Sequence, residues 1–188
     1  HKNLTDLPKN DSELIQLAKE DPVQFGHIYE RYVKKIYTYI YYRTGNVYDA
    51  EDLTTNVFIR AMNNLPKYQD RGLPFSSWLY RIAHNLISNW YRDKAKHDEI
   101  NLDSNPYITE PDSDPHQIKE DNENTEILLE AIKTLPPDRQ ELLILKFVDR
   151  LSNRDIGKIM RRSEGAIKSL YHRTLLSLKK EINKNDTG

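Results

Sequence analysis

An acidic, proline-bearing stretch divides the chain, so whatever folds must fold on either side of it. Residues 98–125 carry nine carboxylates (Asp98, Glu99, Asp103, Glu110, Asp112, Asp114, Glu120, Asp121 and Glu123) against Lys119 alone, a balance of −8. They also hold Pro106, Pro111 and Pro115 and almost no apolar periodicity. Such a segment buries too little surface to offset its ordering entropy and reads as a flexible linker. The flanks differ in sign, at +2 for residues 11–97 and +4 for residues 126–188, although the 188-residue chain nets only −1. The expected architecture is therefore all-α: two small helical domains, 1–97 and 126–188, joined by a flexible acidic linker over 98–125.

Helical spacing runs through the first end. Asp11 or Ser12 is expected to cap a short helix with Leu14, Leu17 and Ala18 on its stripe and Ile15 beside it. Pro22 suits the first turn of the next, where Phe25, Ile28, Tyr29, Tyr32, Ile36, Tyr39 and Ile40 follow at intervals of three and four, and Gly45 ends it. A third helix over about residues 48–65 aligns Leu53, Val57, Ala61 and Leu65. A loop over 66–74 then leads to a helix capped by Ser76 or Ser77 and beginning at Trp78, with Leu79, Ile82, Ala83, Leu86, Ile87 and Trp90 on its apolar face. The run Tyr37, Tyr39, Tyr41 and Tyr42 fits a core or its margin better than a stacking platform. On the last helix, Arg81, Asn85, Asn89, Arg92, Lys94 and Lys96 oppose the apolar face with Asp93 the one acid among them. Two readings stand for that face: a solvated surface, or a helix that tracks a nucleic-acid backbone beside a tryptophan.

The second end begins with Ile127, Leu128, Ala131, Ile132 and Leu135 on one helix, stopped by Pro136-Pro137. Leu142, Leu143, Leu145 and Phe147 give the next, over about residues 138–148. Ser152 and Asp155 form a capping-box-like start to a short helix with Ile156, Ile159 and Met160 inward. After a turn at Arg161 and Arg162, Ser163 caps a helix whose inward face is Ile167, Leu170, Tyr171, Thr174 and Leu178. Two helices joined by such a turn make a helix-turn-helix, whose second member enters the major groove. Residues 161–180 carry six bases and only Glu164 as acid, which favours DNA over an ordinary helical hairpin.

Several function classes fall away. No stretch approaches the roughly 18 apolar residues that span a bilayer. No membrane partner is expected, and without a signal-like apolar run near the start a cytoplasmic chain is. There is no cysteine, which removes disulfides, thiolate catalysis and cysteine-ligated zinc. His27, His84, His97, His116 and His172 fall at no metal-ligand spacing. No catalytic residue, metal or cofactor is expected.

The block Asp49-Ala50-Glu51-Asp52-Leu53-Thr54-Thr55-Asn56-Val57-Phe58-Ile59-Arg60-Ala61, followed by Phe75-Ser76-Ser77-Trp78-Leu79-Tyr80-Arg81-Ile82-Ala83-His84-Asn85, resembles region 2 of bacterial extracytoplasmic-function sigma factors. Leu135-Pro136-Pro137-Asp138-Arg139-Gln140-Glu141, then Leu151 to Gly157 and Ser163 to Ser169, resembles their region 4. The resemblance covers about residues 11–97 and 126–183. It implies a promoter-specificity subunit whose partners are core RNA polymerase (its beta and beta-prime subunits), promoter DNA and an anti-sigma factor. By position it assigns Asp52, Leu53, Thr55, Asn56 and Phe58 to the polymerase contact. The family commonly has Gln-Glu where this chain has Thr55-Asn56, which implies a contact resting on apolar and hydrogen-bonding groups. The loop over 66–77 and the helix after it match the reader of the −10 element, where an extruded base needs something to stack on or hydrogen-bond. Tyr68, Phe75, Trp78, Tyr80, Arg81, Asn85 and Arg92 are the chemistry available there. Arg162, Ser163, Lys168, Ser169, His172 and Arg173 are assigned to the −35 element. Leu170 stands where many relatives have arginine, and Arg161 and Arg162 where a glycine and an apolar residue are usual. The linker is expected to be disordered in the free chain and to thread the polymerase cleft, a passive spacer being the alternative.

Two rivals differ in class. A free-standing helix-turn-helix regulator would need neither the Asp52–Ala61 block nor a neutral charge, since autonomous DNA binders gain affinity by counterion release from a basic surplus. An enzyme acting on nucleic acid would need a rigid acidic or histidine cluster, and none is visible.

Overall fold

The computed structural model describes residues 10–100, 134–147 and 149–185, and within them seven α-helices and no strand. The first unit comprises α1 (Asp11–Glu20), α2 (Phe25–Thr44), α3 (Val47–Asn64) and α4 (Phe75–Ile100). The second comprises α5 (Pro137–Phe147), α6 (Asn153–Met160) and α7 (Glu164–Asn185). The expected helix over 125–135 lies outside the described residues as far as 133, its last two residues, 134 and 135, form a turn instead, and most of the acidic linker is likewise outside. α4 continues through Asp98 and Glu99, so the linker starts later than its charge suggested.

Local chemistry explains the ends. Asn10, rather than Asp11 or Ser12, caps α1, its side chain accepting from the Glu13 N–H at 2.9 Å. That frees the Asp11 carboxylate to take Arg31 at 2.7 Å and the Tyr32 hydroxyl, tying α1 to α2. Ile15, not Leu17, completes the buried stripe with Leu14 and Ala18, and Leu17 stays 40 % exposed. Pro22 sits in a separate 3-10 turn, Pro22–Gln24, capped by Asp21. Gly45 ends α2 in the left-handed region at φ 68°, and Asn46 caps α3 through the Asp49 N–H. Ala50, Ala61 and Ala83 let α3 and α4 approach, and Ile28, Ile36, Ile40, Val57, Leu79 and Ile87 fill the space between the helices, each fully buried. Such side chains contribute about 1.5–3 kcal/mol apiece.

In the second unit, Ser152 caps α6 through the Asp155 N–H and Ser163 caps α7 through the Ala166 N–H, both at 3.1 Å. Ile156, Ile159, Ile167, Leu170 and Thr174 point inward as the spacing required, whereas Phe147 lies 52 % exposed. The helix-turn-helix turn forms with Arg161 itself in the left-handed conformation at φ 56°. Gly157 is what the turn packs on: a Cβ there would stand 2.6 Å from the Arg162 carbonyl oxygen, while the Arg162 N–H donates to the Gly157 carbonyl at 2.8 Å. Gly157→Ala is expected to lower stability by about 1–3 kcal/mol through overpacking against backbone, read as a lower urea midpoint at unchanged slope. An unshifted midpoint would mean that the turn can give way.

The two units are not held apart. α5 packs on α2 and α6 on α4, and one continuous apolar core includes Leu142, Leu145, Ile156, Ile159, Ile167 and Leu170 together with the residues of α2 and α4. At the centre of this contact Glu141 of α5, 2 % exposed, inserts its carboxylate between α2 and α4. Oε1 accepts from the Tyr39 hydroxyl at 2.5 Å and meets His84 Nδ1 at 2.7 Å, and Oε2 takes Arg43 Nη1 at 2.5 Å. Burial raises the Glu141 carboxyl, but the hydrogen bond from His84, the Arg43 charge and the Tyr39 hydroxyl outweigh it and hold the group below the ordinary carboxylate value. Gln140 beside it donates to the Tyr42 carbonyl at 2.5 Å.

Candidate nucleic-acid interface

Between the loop after α3 and the start of α4 lies a cavity of about 370 Å³. Tyr68 and Trp78 stand in its wall with ring centroids 4.9 Å apart, and Phe75 backs both at 5.2 and 5.4 Å. The loop is fixed at both sides. Lys19 of α1 donates to the Tyr68 carbonyl at 2.7 Å, and Gly72, at φ 76°, turns the chain so that its N–H reaches Asp70 at 2.8 Å. Lys67, Arg71 and Arg81 of the first unit and Lys158 of α6 line the same cavity, and among the described residues no carboxylate does. Burial, with Asp70 and Asp11 nearby, raises the Tyr68 hydroxyl, which therefore remains a neutral donor. Flat aromatic faces, a neutral hydroxyl and unbalanced cations suit a nucleobase with its phosphodiester.

The residues expected at the −10 element separate into two groups. Tyr68 and Trp78 are half-buried at the cavity and Arg81 is exposed beside it; Asn85 is half-buried and Arg92 exposed farther along α4. Phe75 and Tyr80 are core instead, 3 % and 0 % exposed. The Tyr80 ring meets Tyr39 edge-on at 5.2 Å and Phe75 lies 5.6 Å from Tyr32, so both side chains are taken up by the core in this conformation. Their positions at the start of α4 resemble reading positions in the linear sequence because helical phase decides burial only once α4 is seated on α2.

Along α3, Asp52, Thr55 and Asn56 are exposed on one face, while Leu53 and Phe58 turn inward, Phe58 lying edge-on to Tyr29 at 4.9 Å. Ile59 and Met62, which the sequence reading passed over, extend the exposed face with apolar surface. Their signal was available: both lie off the Leu53, Val57 and Ala61 stripe, at three-residue steps from Asn56. On α7, Lys168, Ser169, His172 and Arg173 are all exposed. Arg162 is exposed and pairs with Asp138 at 3.2 Å, and Ser163 serves as the cap of α7. Among the described residues no group of three histidine, aspartate or glutamate side chains could hold a metal ion, and no helix is long and apolar enough to cross a membrane.

Comparison with known proteins agrees with this geometry. Sigma-70 region 2 matches residues 28–97 and Sigma-70 region 4 matches residues 125–178. The ECF RNA polymerase sigma factor SigW of Bacillus subtilis is 34 % identical over 177 residues, covering 89 % of this chain and 93 % of that protein. The ECF RNA polymerase sigma factor BldN of Streptomyces coelicolor is 32 % identical over 167 residues, which span 88 % of this chain and 63 % of BldN. Among solved structures, the sigma factor RpoE from Bartonella quintana, crystallised with the anti-sigma factor NepR, shares the fold at a TM-score of 0.68 and 19 % identity, over 85 % of this chain and 96 % of that one. With both regions in this order on one chain and a relative matched nearly end to end, the chain belongs to the extracytoplasmic-function RNA polymerase sigma factors of the sigma-70 family.

Proposed function

We propose that this sigma factor docks on the beta and beta-prime subunits of core RNA polymerase, in part through the exposed α3 face, and selects promoters with two separate readers. The Tyr68–Trp78 cavity, with Arg81, Asn85 and Arg92 on α4, takes the −10 element; α7, with Lys168, Ser169, His172 and Arg173, takes the −35 element. The observation that carries the reading is the aromatic cavity on which Lys67, Arg71 and Arg81 of the first unit converge, with no acid in its wall among the described residues, on the same chain as a helix-turn-helix. The chain acts as a non-enzymatic regulator in the cytoplasm, and an anti-sigma factor is a partner to seek, as NepR is for the Bartonella protein. The net charge of −1 supports a factor that binds DNA mounted on polymerase over a free-standing regulator.

Asp52→Arg with Asn56→Ala tests the docking face, since both side chains are exposed and neither supports the core. The expected result is loss of co-purification with core polymerase at unchanged helicity. Undiminished core binding would remove α3 from the interface.

A further inference from the structure

Lys19 belongs to none of the surfaces assigned so far. It lies in the last turn of α1, ahead of the residues 28–97 that sigma-70 region 2 matches. A lysine there would favour the helix macrodipole from any rotamer and would ordinarily keep its amine in water. Here the side chain is half-buried and its amine goes to another element. Nζ donates to the Tyr68 carbonyl at 2.7 Å and stands 5.8 Å from the centroid of the Tyr68 ring. One cation therefore holds both the backbone and the ring of a residue that walls the −10 cavity, by a charge-assisted hydrogen bond and by attraction to the π face.

The contact falls where the loop has least support of its own. The Tyr68 N–H closes the Leu65–Lys67 turn by donating to the Leu65 carbonyl at 3.0 Å, and the backbone of Tyr68 is then extended, at φ −61° and ψ 132°. Gln69, Asp70, Arg71 and Gly72 beyond it are all exposed, and α4 does not begin until Phe75. The Tyr68 carbonyl is thus the point at which an ordered turn passes into an exposed loop. α1 can brace that point because it is itself held. Leu14, Ile15 and Ala18 seat it in the core, and at its first turn Asp11 binds Arg31 and the Tyr32 hydroxyl of α2. The Tyr32 ring lies 5.6 Å from Phe75, which backs both Tyr68 and Trp78. Packing on Phe75 limits how deep the two rings sit, but apolar packing tolerates a tilt of Tyr68 that a directed hydrogen bond does not.

We propose that Lys19 is a positioning residue for −10 recognition: through the carbonyl and ring of Tyr68 it fixes the face that the cavity presents to a base, and with it the discrimination among bases. The assignment rests on the role given above to the Tyr68–Trp78 cavity. Recognition needs the contacting groups held within about 0.5 Å of their working geometry by neighbours that are themselves fixed, and α1 is such a neighbour. Lys19 acts through Tyr68 and not on DNA. Its loss should therefore change preference at the base that the cavity takes and leave −35 preference alone.

Core polymerase loaded with the full chain is given a library of linear double-stranded DNA randomised over the −10 and −35 elements, and the transcribed molecules are sequenced. Lys19→Met keeps the apolar stem and removes the donor. It should lower the ratio of best to worst base at one −10 position by at least about fivefold, within the range that a single base contact commands. Ratios at −35 should stay within about twofold of the parent's, since no −35 contact is altered. Lys19→Arg, which retains donor and cation, should keep the −10 ratio. Lys19→Gln, shorter and uncharged, replaces the methionine variant if that one loses helicity, with the same expected flattening. A lysine that merely stabilises α1 would lower transcription from all sequences alike, and one that meets a phosphate would do so while reducing the salt slope by about 1; either result overturns the assignment. Trp78→Ala in the same assay distinguishes failure of the brace from failure of the cavity. If it flattens the −10 position and Lys19→Met does not, the brace falls and the cavity stands. If it leaves every −10 ratio intact, the cavity reading falls and the brace with it.

Discussion

Arg43→Met is expected to cost about 3–5 kcal/mol of closed-state stability, the usual result of removing one partner from a buried ion pair. Arg43 and Glu141 have side chains 5 % and 2 % exposed, so solvent does not screen the charge left behind. Methionine keeps the length of the stem, and the Tyr91 hydroxyl can still donate to the residue 43 carbonyl. The measured loss has a ceiling, because separating the units hydrates Glu141. It appears as a lower unfolding midpoint, or, where the contact between the units is worth less than the penalty, as a longer distance between spin labels at Glu13→Cys and Lys179→Cys in this cysteine-free chain. Arg43→Met with Glu141→Gln should recover much of the loss, since an isosteric neutral pair escapes desolvation. A single variant within about 0.5 kcal/mol of the parent, with no opening, would show the pair to be idle.

The pH dependence of closure carries two opposite signs. Glu141 is held below its ordinary 4.5, because His84, Arg43 and Tyr39 outweigh burial. Its contribution is complete above that ordinary value and is lost as pH falls through the lower closed-state value. Asp149 is pushed up to about 6 by burial, against the opposing effects of Tyr80 and Lys35. Its contribution is complete below the ordinary 3.8 and is lost as pH rises through about 6. Closure should therefore be strongest on the mildly acidic side. Arg43→Met should flatten the acid limb while leaving the loss near pH 6 in place.

What the sequence disclosed follows from how far each determinant acts along the chain. Gly45, Ser152 and Ser163 were legible as caps because each bonds within a turn of itself. The stripes of α3, α6 and α7 were legible because a helix repeats its buried face every three to four residues. Leu17 was misplaced since α1 is short, and a stripe of 14, 15 and 18 competes evenly with 14, 17 and 18 until α2 and the Leu65–Lys67 turn choose the face. Phe75 and Tyr80 were offered to DNA on residue type, which says nothing of helical phase. Glu141 was least visible: a carboxylate beside Leu142 reads as the solvent edge of a helix, and its partners Tyr39 and Arg43 lie about a hundred residues away. The same distance hid the union of the two units. Charge marked a break in apolar pattern, but a break in pattern does not keep two apolar surfaces apart.

The −35 reader should show the largest functional effect. Ile167, Leu170 and Thr174 fix one face of α7 against α5 and α6, which leaves Lys168 and His172, and Ser169 and Arg173, as two outward pairs four residues apart. That places four exposed side chains along one groove-width of helix, with the N-terminal end of α7 leading. Arg173 now spends its Nε on the Ser169 carbonyl of its own helix at 3.4 Å, a weak bond that DNA can replace, and its reach suits a phosphate. Ser169 and His172 carry both donor and acceptor capacity and suit base edges. Replacing a base contact should cost about 1–3 kcal/mol and relax preference at one pair, whereas replacing a phosphate contact should weaken all sequences alike and reduce the salt slope by about 1. Alanine at all four positions, in polymerase-loaded chain, should therefore lower −35-dependent promoter affinity by at least about a hundredfold, at about 1.4 kcal/mol per tenfold. The −10 cavity would be untouched, and discrimination between −10 variants should survive at whatever promoter binding remains. Retention of full −35 preference by the four-alanine chain would place the reading surface elsewhere on the second unit.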